Sequence, residues 1–206
     1  MTDFLKDGPA DAPVTVLLAH GAGAPMDSPS MQAITQALAA EGLTVARFEF
    51  AYMAGRRQGV KKPPPRAETV MDEYREAVAG LGASGPLVIG GKSMGGRVAS
   101  MVADDLGVAG LLCLGYPFHP PGKPGQLRTK HLKDLKTPAL IVQGTRDPFG
   151  TVDEVPGYDL SGAIEVFWVE DGEHDLKPRK KVTGKSQADA LAEVAAKVRD
   201  WAAALR

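Results

Sequence analysis

The sequence predicts a doubly wound α/β fold, in which helices cover both faces of a mostly parallel β-sheet. Two patterns indicate it. Short apolar segments rich in Val, Ile and Leu alternate with longer segments of helical periodicity along the whole chain. The apolar segments run almost without interruption, which is typical of strands buried on both faces of a parallel sheet. We therefore expect one domain over residues 1–206, with right-handed crossovers between neighbouring strands.

Six apolar segments are predicted to be strands and four periodic segments to be helices. The predicted strands are 14–19, 43–48, 86–90, 109–114, 139–143 and 164–169, and the predicted helices are 30–40, 67–81, 94–106 and 187–205. The last helix is the clearest, because its apolar residues recur every three or four positions and form one stripe. Loops rich in proline, glycine or basic residues lie at 54–66, 117–125 and 177–185.

The composition argues against several classes of protein. Lys and Arg number 24 against 25 Asp and Glu, so the overall charge offers no argument for a nucleic-acid or membrane partner. Cys113 is the only cysteine and lies in an apolar segment, which indicates a buried thiol without a disulfide framework or metal cluster. No signal-peptide pattern or transmembrane run is evident. We expect a cytoplasmic protein of unspecified oligomeric state, and the Ala, Gly and Arg usage favours a bacterial genome.

The segment 90–96, with the sequence GGKSMGG, carries the strongest chemical signal. It joins a predicted strand to a predicted helix and places Ser93 at the turn, with Gly91 and Gly95 two residues to either side. This is the nucleophile-elbow pattern G-x-S-x-G, whose strained turn leaves no room for side chains at the flanking positions. A phosphate-binding P-loop would need glycine five residues before Gly91, where the chain has Pro86. The pattern therefore favours a nucleophilic serine.

A serine hydroxyl needs a base to accept its proton and a carboxylate to orient that base. In a fold with a nucleophile elbow, the acid and then the histidine follow the ends of later strands. Asp147 follows the fifth predicted strand, and His174 is the only histidine after the last one. The order predicts a catalytic triad of Ser93, Asp147 and His174. Asp171 and Asp175 lie too close to His174 in sequence to orient its ring.

An oxyanion hole should combine the N–H of the residue after the nucleophile with an N–H from the loop after the first long strand. Met94 supplies the first. Ala22 is the preferred second donor, Gly23 is the alternative, and the side chain of His20 is expected to brace this loop. Such a mechanism requires no metal or organic cofactor.

These residues carry a resemblance to a known family. With His20-Gly21, the elbow at 91–95, the sequence GTRD at 144–147 and GEH at 172–174, the chain resembles the α/β-hydrolases. More narrowly, it is similar to small predicted hydrolases related to testis-expressed protein 30 and to a chromatin acetyltransferase-complex subunit, and more distantly to dienelactone hydrolases. The resemblance implies a Ser-His-Asp hydrolase. The usual N-terminal antiparallel hairpin is missing, which predicts a minimal α/β-hydrolase fold of about six strands.

Loops at the carboxyl ends of the strands should shape the substrate pocket. The segment 51–66 carries five basic residues and no acid, and further basic residues follow the fourth predicted strand and His174. These charges suggest an anionic substrate, although lysines on solvated loops explain them equally well. The predicted substrate-binding residues are Tyr52, Arg56, Arg57, Lys92, Tyr116 and Phe118. For the aromatic ones, ordinary packing at strand ends is the alternative. The insertion before the fifth strand is too short for a large lid.

Three functions are consistent with these patterns. The leading hypothesis is a serine hydrolase that cleaves a small soluble carboxylic ester or thioester through an acyl-enzyme. The second is a non-catalytic binding or scaffold protein that has retained the fold, since some relatives in this branch have scaffold roles. The third retains the triad but transfers the acyl group to another acceptor, as in acyl transfer or perhydrolysis.

Overall fold

The computed structural model describes residues 2–60 and 62–205. Within them the strands are β1 (Leu5–Asp7), β2 (Thr15–Ala19), β3 (Thr44–Phe48), β4 (Leu87–Lys92), β5 (Gly110–Leu114), β6 (Ala139–Gly144) and β7 (Ile164–Val169). The helices are α1 (Pro29–Ala40), α2 (Ala51–Arg57), α3 (Met71–Leu81), α4 (Met94–Leu106), α5 (Lys180–Thr183) and α6 (Gln187–Ala203). Lys61, part of the predicted basic loop, lies outside the described residues.

The strands form one sheet in the order β1-β3-β2-β4-β5-β6-β7. Strands β2 to β7 are parallel, which confirms the doubly wound prediction and all six predicted strands. The expected count of six is corrected by β1, a seventh strand that pairs antiparallel with β3. A three-residue strand is too short to show periodicity. It is held at the sheet edge partly by an ion pair of 2.7 Å between Asp7 and Arg47 of β3.

The four predicted helices are confirmed, with a 3₁₀ turn at Ala67–Val70 preceding α3. Helices α2 and α5 lie in segments expected to be loops. Helices this short are not stable on their own in water and depend on tertiary contacts. In α2 one such contact is visible, since the first N–H, that of Ala51, donates to the Glu73 carboxylate of α3 at 2.7 Å.

The sheet separates two apolar layers, because successive residues of each strand point to opposite faces. In β2, Leu17 belongs to one layer and Leu18 to the other. Helices α3 and α4 pack together on the first face, and α1 and α6 pack together on the second. Cys113 is fully buried in the first layer, as predicted.

The carboxyl ends of β2, β4, β6 and β7 meet along one edge of the sheet, because these strands are parallel and close in the sheet order. The segments that leave this edge contain all the predicted catalytic residues. The connection 115–138 between β5 and β6 holds no helix or strand, so the edge has no helical lid. No helix in the described ranges is both long and apolar enough to cross a membrane.

Candidate active site

Ser93 stands at the sharp turn between β4 and α4. Its backbone has φ 51° and ψ −114°, a conformation that non-glycine residues rarely adopt. A Cβ on Gly91 would lie 2.8 Å from the carbonyl carbon of Gly95, and a Cβ on Gly95 would lie 2.7 Å from the carbonyl oxygen of His20. Non-bonded contacts of a Cβ atom are essentially never shorter than 3.0 Å, so neither position can hold a side chain without a shift of the backbone. The predicted need for glycine on either side of Ser93 is therefore confirmed.

The structure brings Ser93, Asp147 and His174 into one chain of hydrogen bonds. His174 Nε2 lies 2.9 Å from Ser93 Oγ, and His174 Nδ1 lies 2.8 Å from Asp147 Oδ2. Asp147 is fully buried, and its other oxygen accepts the N–H of Phe149 at 2.9 Å. Since an ionised carboxylate can only accept, the Nδ1 proton stays on the imidazole, and Nε2 is left to accept the Ser93 proton.

Contacts between the loop after β6 and the loop after β7 hold Asp147 and His174 in position relative to each other. The Arg146 N–H donates to the Gly172 carbonyl at 2.9 Å, and the Asp171 N–H donates to Thr145 Oγ1 at 2.9 Å. The Asp171 carboxylate forms ion pairs with Arg179 and Arg146, and these charges hold its pKa well below the usual range. Asp171 is engaged there and forms no hydrogen bond to the ring of His174, so it does not orient that ring, as predicted.

The residues predicted to supply the oxyanion donors, Met94 and Ala22, line a cleft that Ser93 also lines. The Met94 N–H is the first of α4, and the first four N–H groups of a helix have no partner within it. Ala22 lines the clefts on both sides of Ser93, whereas Gly23 lines only one. The Ala22 carbonyl accepts the Tyr52 hydroxyl at 3.1 Å, which orients this loop.

His20 braces the same loop, as predicted. Its Nδ1–H donates to the Gly21 carbonyl at 2.7 Å, and its Nε2 accepts the Phe50 N–H at 3.2 Å. Burial lowers the pKa of this imidazole and so keeps it neutral. With both ring nitrogens engaged, His20 has no free position from which to act as a base.

Two clefts open beside Ser93. We call the first, of about 620 Å³, the arginine cleft; it adjoins Ser93, Met94 and Phe149 and is also lined by Arg66, Arg97, Arg128 and Glu68. We call the second, of about 460 Å³, the Lys92 cleft; it is lined by the loop 21–24, the start of α1, Lys92, His174 and Asp175. His174 lines only the second cleft. A substrate bound at Ser93 can therefore extend in two directions.

Lys92 is the one predicted substrate-binding residue that lies beside Ser93. Its side chain is buried, and its ammonium lies 3.3 Å from the Asp175 carboxylate at the rim of the Lys92 cleft. Burial lowers the pKa of Lys92, and the neighbouring Asp175 opposes this effect. Asp175 is thus paired with a lysine and does not orient His174.

The structure contradicts the prediction that Tyr116 and Phe118 line an acyl pocket. Both side chains are fully buried in the apolar layer under α4. The Tyr116 hydroxyl donates to the Arg128 carbonyl at 3.0 Å, and the Phe118 ring packs 5.5 Å from that of Tyr158. Neither side chain has exposed surface for a substrate, so ordinary packing, the alternative interpretation, is correct.

Tyr52, Arg56 and Arg57 also do not line either cleft. The Arg56 guanidinium lies over the Tyr52 ring at 5.5 Å from its centre. Arg57 forms ion pairs with Asp27 at 2.6 Å and Glu49 at 2.8 Å, which neutralise its charge. Other rim cations have acidic partners too, such as Lys133 with Asp159 and Lys185 with Glu193.

Sequence reasoning missed two residues that border Ser93. The Phe149 ring lies 4.2 Å from the ring of His174, and Phe149 also lines both clefts. Arg97 projects into the arginine cleft from the first turn of α4 and pairs with Glu68. Phe149 had one usable signal, its position two residues after Asp147. In the described ranges, no cluster of three or more His, Cys, Asp or Glu could hold a metal ion.

Comparisons with known proteins identify the fold and the family. A family model described as an alpha/beta hydrolase domain matches residues 12–203. A serine hydrolase homologue from Coxiella burnetii has a TM-score of 0.71 at 20% identity, covering 96% of this chain and 91% of that chain. A lidless α/β serine hydrolase from Xanthomonas campestris has a TM-score of 0.71 at 21% identity, covering 97% and 89%. A dienelactone hydrolase from Anabaena variabilis has a TM-score of 0.71 at 18% identity, covering 100% and 93%.

These solved structures share the fold of this chain, with the mostly parallel sheet described above. The family match spans nearly all of the described residues and includes the elbow at Ser93 and both loops that meet it. The chain belongs to the alpha/beta hydrolase domain family.

Proposed function

We propose that this protein is a serine hydrolase that cleaves a small carboxylic ester or thioester through an acyl-enzyme. The observation that carries the proposal is the unbroken chain of hydrogen bonds from Asp147 through His174 to Ser93. Solved structures of serine hydrolases that share the fold support it. A buried carboxylate, an oriented imidazole and a strained serine at a helix start are the parts that acyl transfer requires.

In the first half of the reaction, Ser93 Oγ attacks the acyl carbon while His174 Nε2 accepts its proton. The carbonyl oxygen becomes an oxyanion between the N–H groups of Met94 and Ala22, and each such donor contributes about 10²- to 10³-fold to the rate. Asp147 stabilises the imidazolium that forms. His174 then gives its proton to the leaving alcohol or thiol, and the acyl group stays bonded to Ser93.

In the second half, a water molecule takes the place of the leaving group. His174 Nε2 accepts a proton from this water as its oxygen attacks the acyl carbon. The same oxyanion donors stabilise the second intermediate. His174 returns the proton to Ser93 Oγ, and the carboxylic acid is released.

The shape of the site favours small substrates. Ser93 and Met94 are partly exposed, the two clefts measure about 620 and 460 Å³, and the connection 115–138 contributes no helix that could cover them. We place the chain in the branch related to testis-expressed protein 30 as part of this proposal. The single domain of residues 1–206, the cytoplasmic location and the bacterial source stay predictions.

The test is covalent labelling of the full chain by a fluorophosphonate probe, with Ser93→Ala and His174→Ala as variants. We expect the native protein to be labelled, Ser93→Ala not at all, and His174→Ala at a strongly reduced rate. The matched control is His119→Ala, which removes an imidazole away from both clefts. Folding of each variant is checked by circular dichroism. A folded native chain that resists labelling would refute the proposal and favour the scaffold function instead.

A further inference from the structure

The arginine cleft carries more positive charge than its acids neutralise. Arg66, Arg97 and Arg128 all line it, and Glu68 is the only carboxylate among its lining residues in the described part of the chain. Glu68 pairs with Arg97. This leaves Arg66 and Arg128 without a carboxylate partner among the described residues, in a cleft that also adjoins Ser93.

Of the two arginines without a carboxylate partner, Arg128 is partly buried and Arg66 is exposed, which favours Arg128 for binding an anion. Its backbone is held in place, since its N–H donates to the Phe118 carbonyl at 2.7 Å and its carbonyl accepts the Tyr116 hydroxyl at 3.0 Å. Burial and the nearby Arg97 lower the pKa of its guanidinium. An anion bound at Arg128 would relieve this repulsion and would find a planar guanidinium suited to a carboxylate.

The remaining walls of the arginine cleft are apolar. Pro64, Pro65, Ala67, Pro117 and the Phe149 ring complete the lining. Such walls suit a short hydrocarbon chain between the reacting carbon at Ser93 and the arginines. The cleft thus offers an oxyanion site at one end, an apolar middle and a cationic end.

The position of His174 indicates which part of the substrate enters this cleft. His174 must give a proton to the leaving group, so the leaving group lies on the His174 side of Ser93. His174 lines the Lys92 cleft and does not line the arginine cleft. The leaving group therefore takes the Lys92 cleft, and the acyl chain takes the arginine cleft.

We propose that the preferred substrate is a half-ester or half-thioester of a short dicarboxylic acid, whose free carboxylate binds Arg128 while its other carboxyl carbon is attacked by Ser93. This inference rests on the proposed hydrolase function. The sequence predicted that Arg56 and Arg57 bind an anionic substrate. The present inference assigns that role to Arg128, which lines the same cleft as Ser93.

The test compares matched ester pairs on the full chain, with hydrolysis followed by acid release in a pH-stat. Monomethyl glutarate is paired with methyl pentanoate, which has a methyl group in place of the carboxylate, and the succinate and adipate pairs vary the chain length. For the best chain length we expect kcat/KM for the anionic ester to exceed that for the neutral one by about 10- to 100-fold. Added salt should lower this preference.

Two variants assign the preference to the cleft. Arg128→Gln should reduce the ratio of the two kcat/KM values by about tenfold or more, and Arg128→Lys should recover part of it. Arg57→Gln removes one positive charge outside both clefts and should leave the ratio unchanged. Because both rates are measured on one sample, partial unfolding cancels from the ratio.

The outcomes separate the two proposals. If the neutral ester is hydrolysed with Ser93 but no anionic ester is preferred, the hydrolase function stands and the dicarboxylate inference is overturned. It is also overturned if Arg57→Gln lowers the preference as much as Arg128→Gln. If neither ester is hydrolysed and the probe fails to label Ser93, both proposals fail.

Discussion

The contact between Asp147 and His174 gives the sharpest prediction, for the variant Asp147→Asn. The substitution keeps the size and burial of the side chain and removes its charge. In the native structure, one carboxylate oxygen accepts the Phe149 N–H at 2.9 Å and the other accepts His174 Nδ1–H at 2.8 Å. The Phe149 N–H determines how the amide will sit, because only the amide oxygen can accept it.

That orientation turns the amide NH₂ towards His174. The NH₂ group then donates to Nδ1, so the imidazole carries its proton on Nε2 and cannot accept the proton of Ser93. The opposite orientation leaves two donors facing each other at Phe149, in a site where Asp147 is fully buried, at a cost of about 1–3 kcal/mol. A wrong tautomer of this kind lowers kcat by about 10⁴-fold, which corresponds to about 5.4 kcal/mol of transition-state stabilisation.

The assay is kcat for methyl pentanoate together with the rate of fluorophosphonate labelling. The matched control is Asp175→Asn, since Asp175 follows His174 directly but pairs with Lys92 at 3.3 Å. A loss below about tenfold is expected there, because a partly exposed ion pair contributes little. If Asp147→Asn retained activity within tenfold of the native protein while folded, the assignment of Asp147 as the orienting acid would be refuted.

Three further predictions concern the stability of the folded protein around the site. Gly95→Ala places a methyl group 2.7 Å from the His20 carbonyl oxygen, so urea unfolding should show a loss of about 1–3 kcal/mol; unchanged stability would contradict the close approach. Phe118→Ala should lower the free energy of unfolding by about 3–5 kcal/mol with no change in KM. A raised KM with unchanged stability would instead show that this ring binds substrate. Burial lowers the pKa of His131 to about 4, so the unfolded chain binds a proton below about pH 6.5 that the folded protein excludes. Stability should therefore fall by about 1–2 kcal/mol, after allowance for solvent screening, as the pH drops from 6.5 towards 4. In thermal melts at pH 7 and 4.5, the loss of stability at the lower pH should be smaller for His131→Gln than for the native protein. Equal losses in both proteins would contradict the role of His131.

Much of the site was predictable because each of its parts leaves a recognisable pattern in a short stretch of sequence. The glycines around Ser93 reflect a turn that excludes side chains, and that requirement acts within a few residues. Asp147 and His174 could be placed because each follows the end of a parallel strand, and parallel strands bring such ends to one edge. The order of elements placed these three residues at one edge of the sheet, and the structure shows that their side chains form hydrogen bonds to one another.

The substrate-binding predictions depended on which way side chains point, and here the sequence was a poor guide. Tyr116 and Phe118 follow a strand end, as pocket residues do, yet both are fully buried in the first apolar layer. Arg57 sits in a basic segment, but acids from other parts of the chain neutralise it. Arg97 carried no signal, since one arginine on a helix looks like any exposed residue.

The sequence by itself therefore determined the fold class, six of the strands, the elbow and the identity of the three candidate catalytic residues. Periodicity, glycine sterics and strand polarity act locally or through topology, so they can be read along the chain. Only the tertiary structure decided the edge strand β1, the burial of the aromatic residues and the partners of each charge. These features depend on contacts between segments that lie far apart in sequence. The surroundings of each side chain come from several elements at once and cannot be read from its neighbours along the chain.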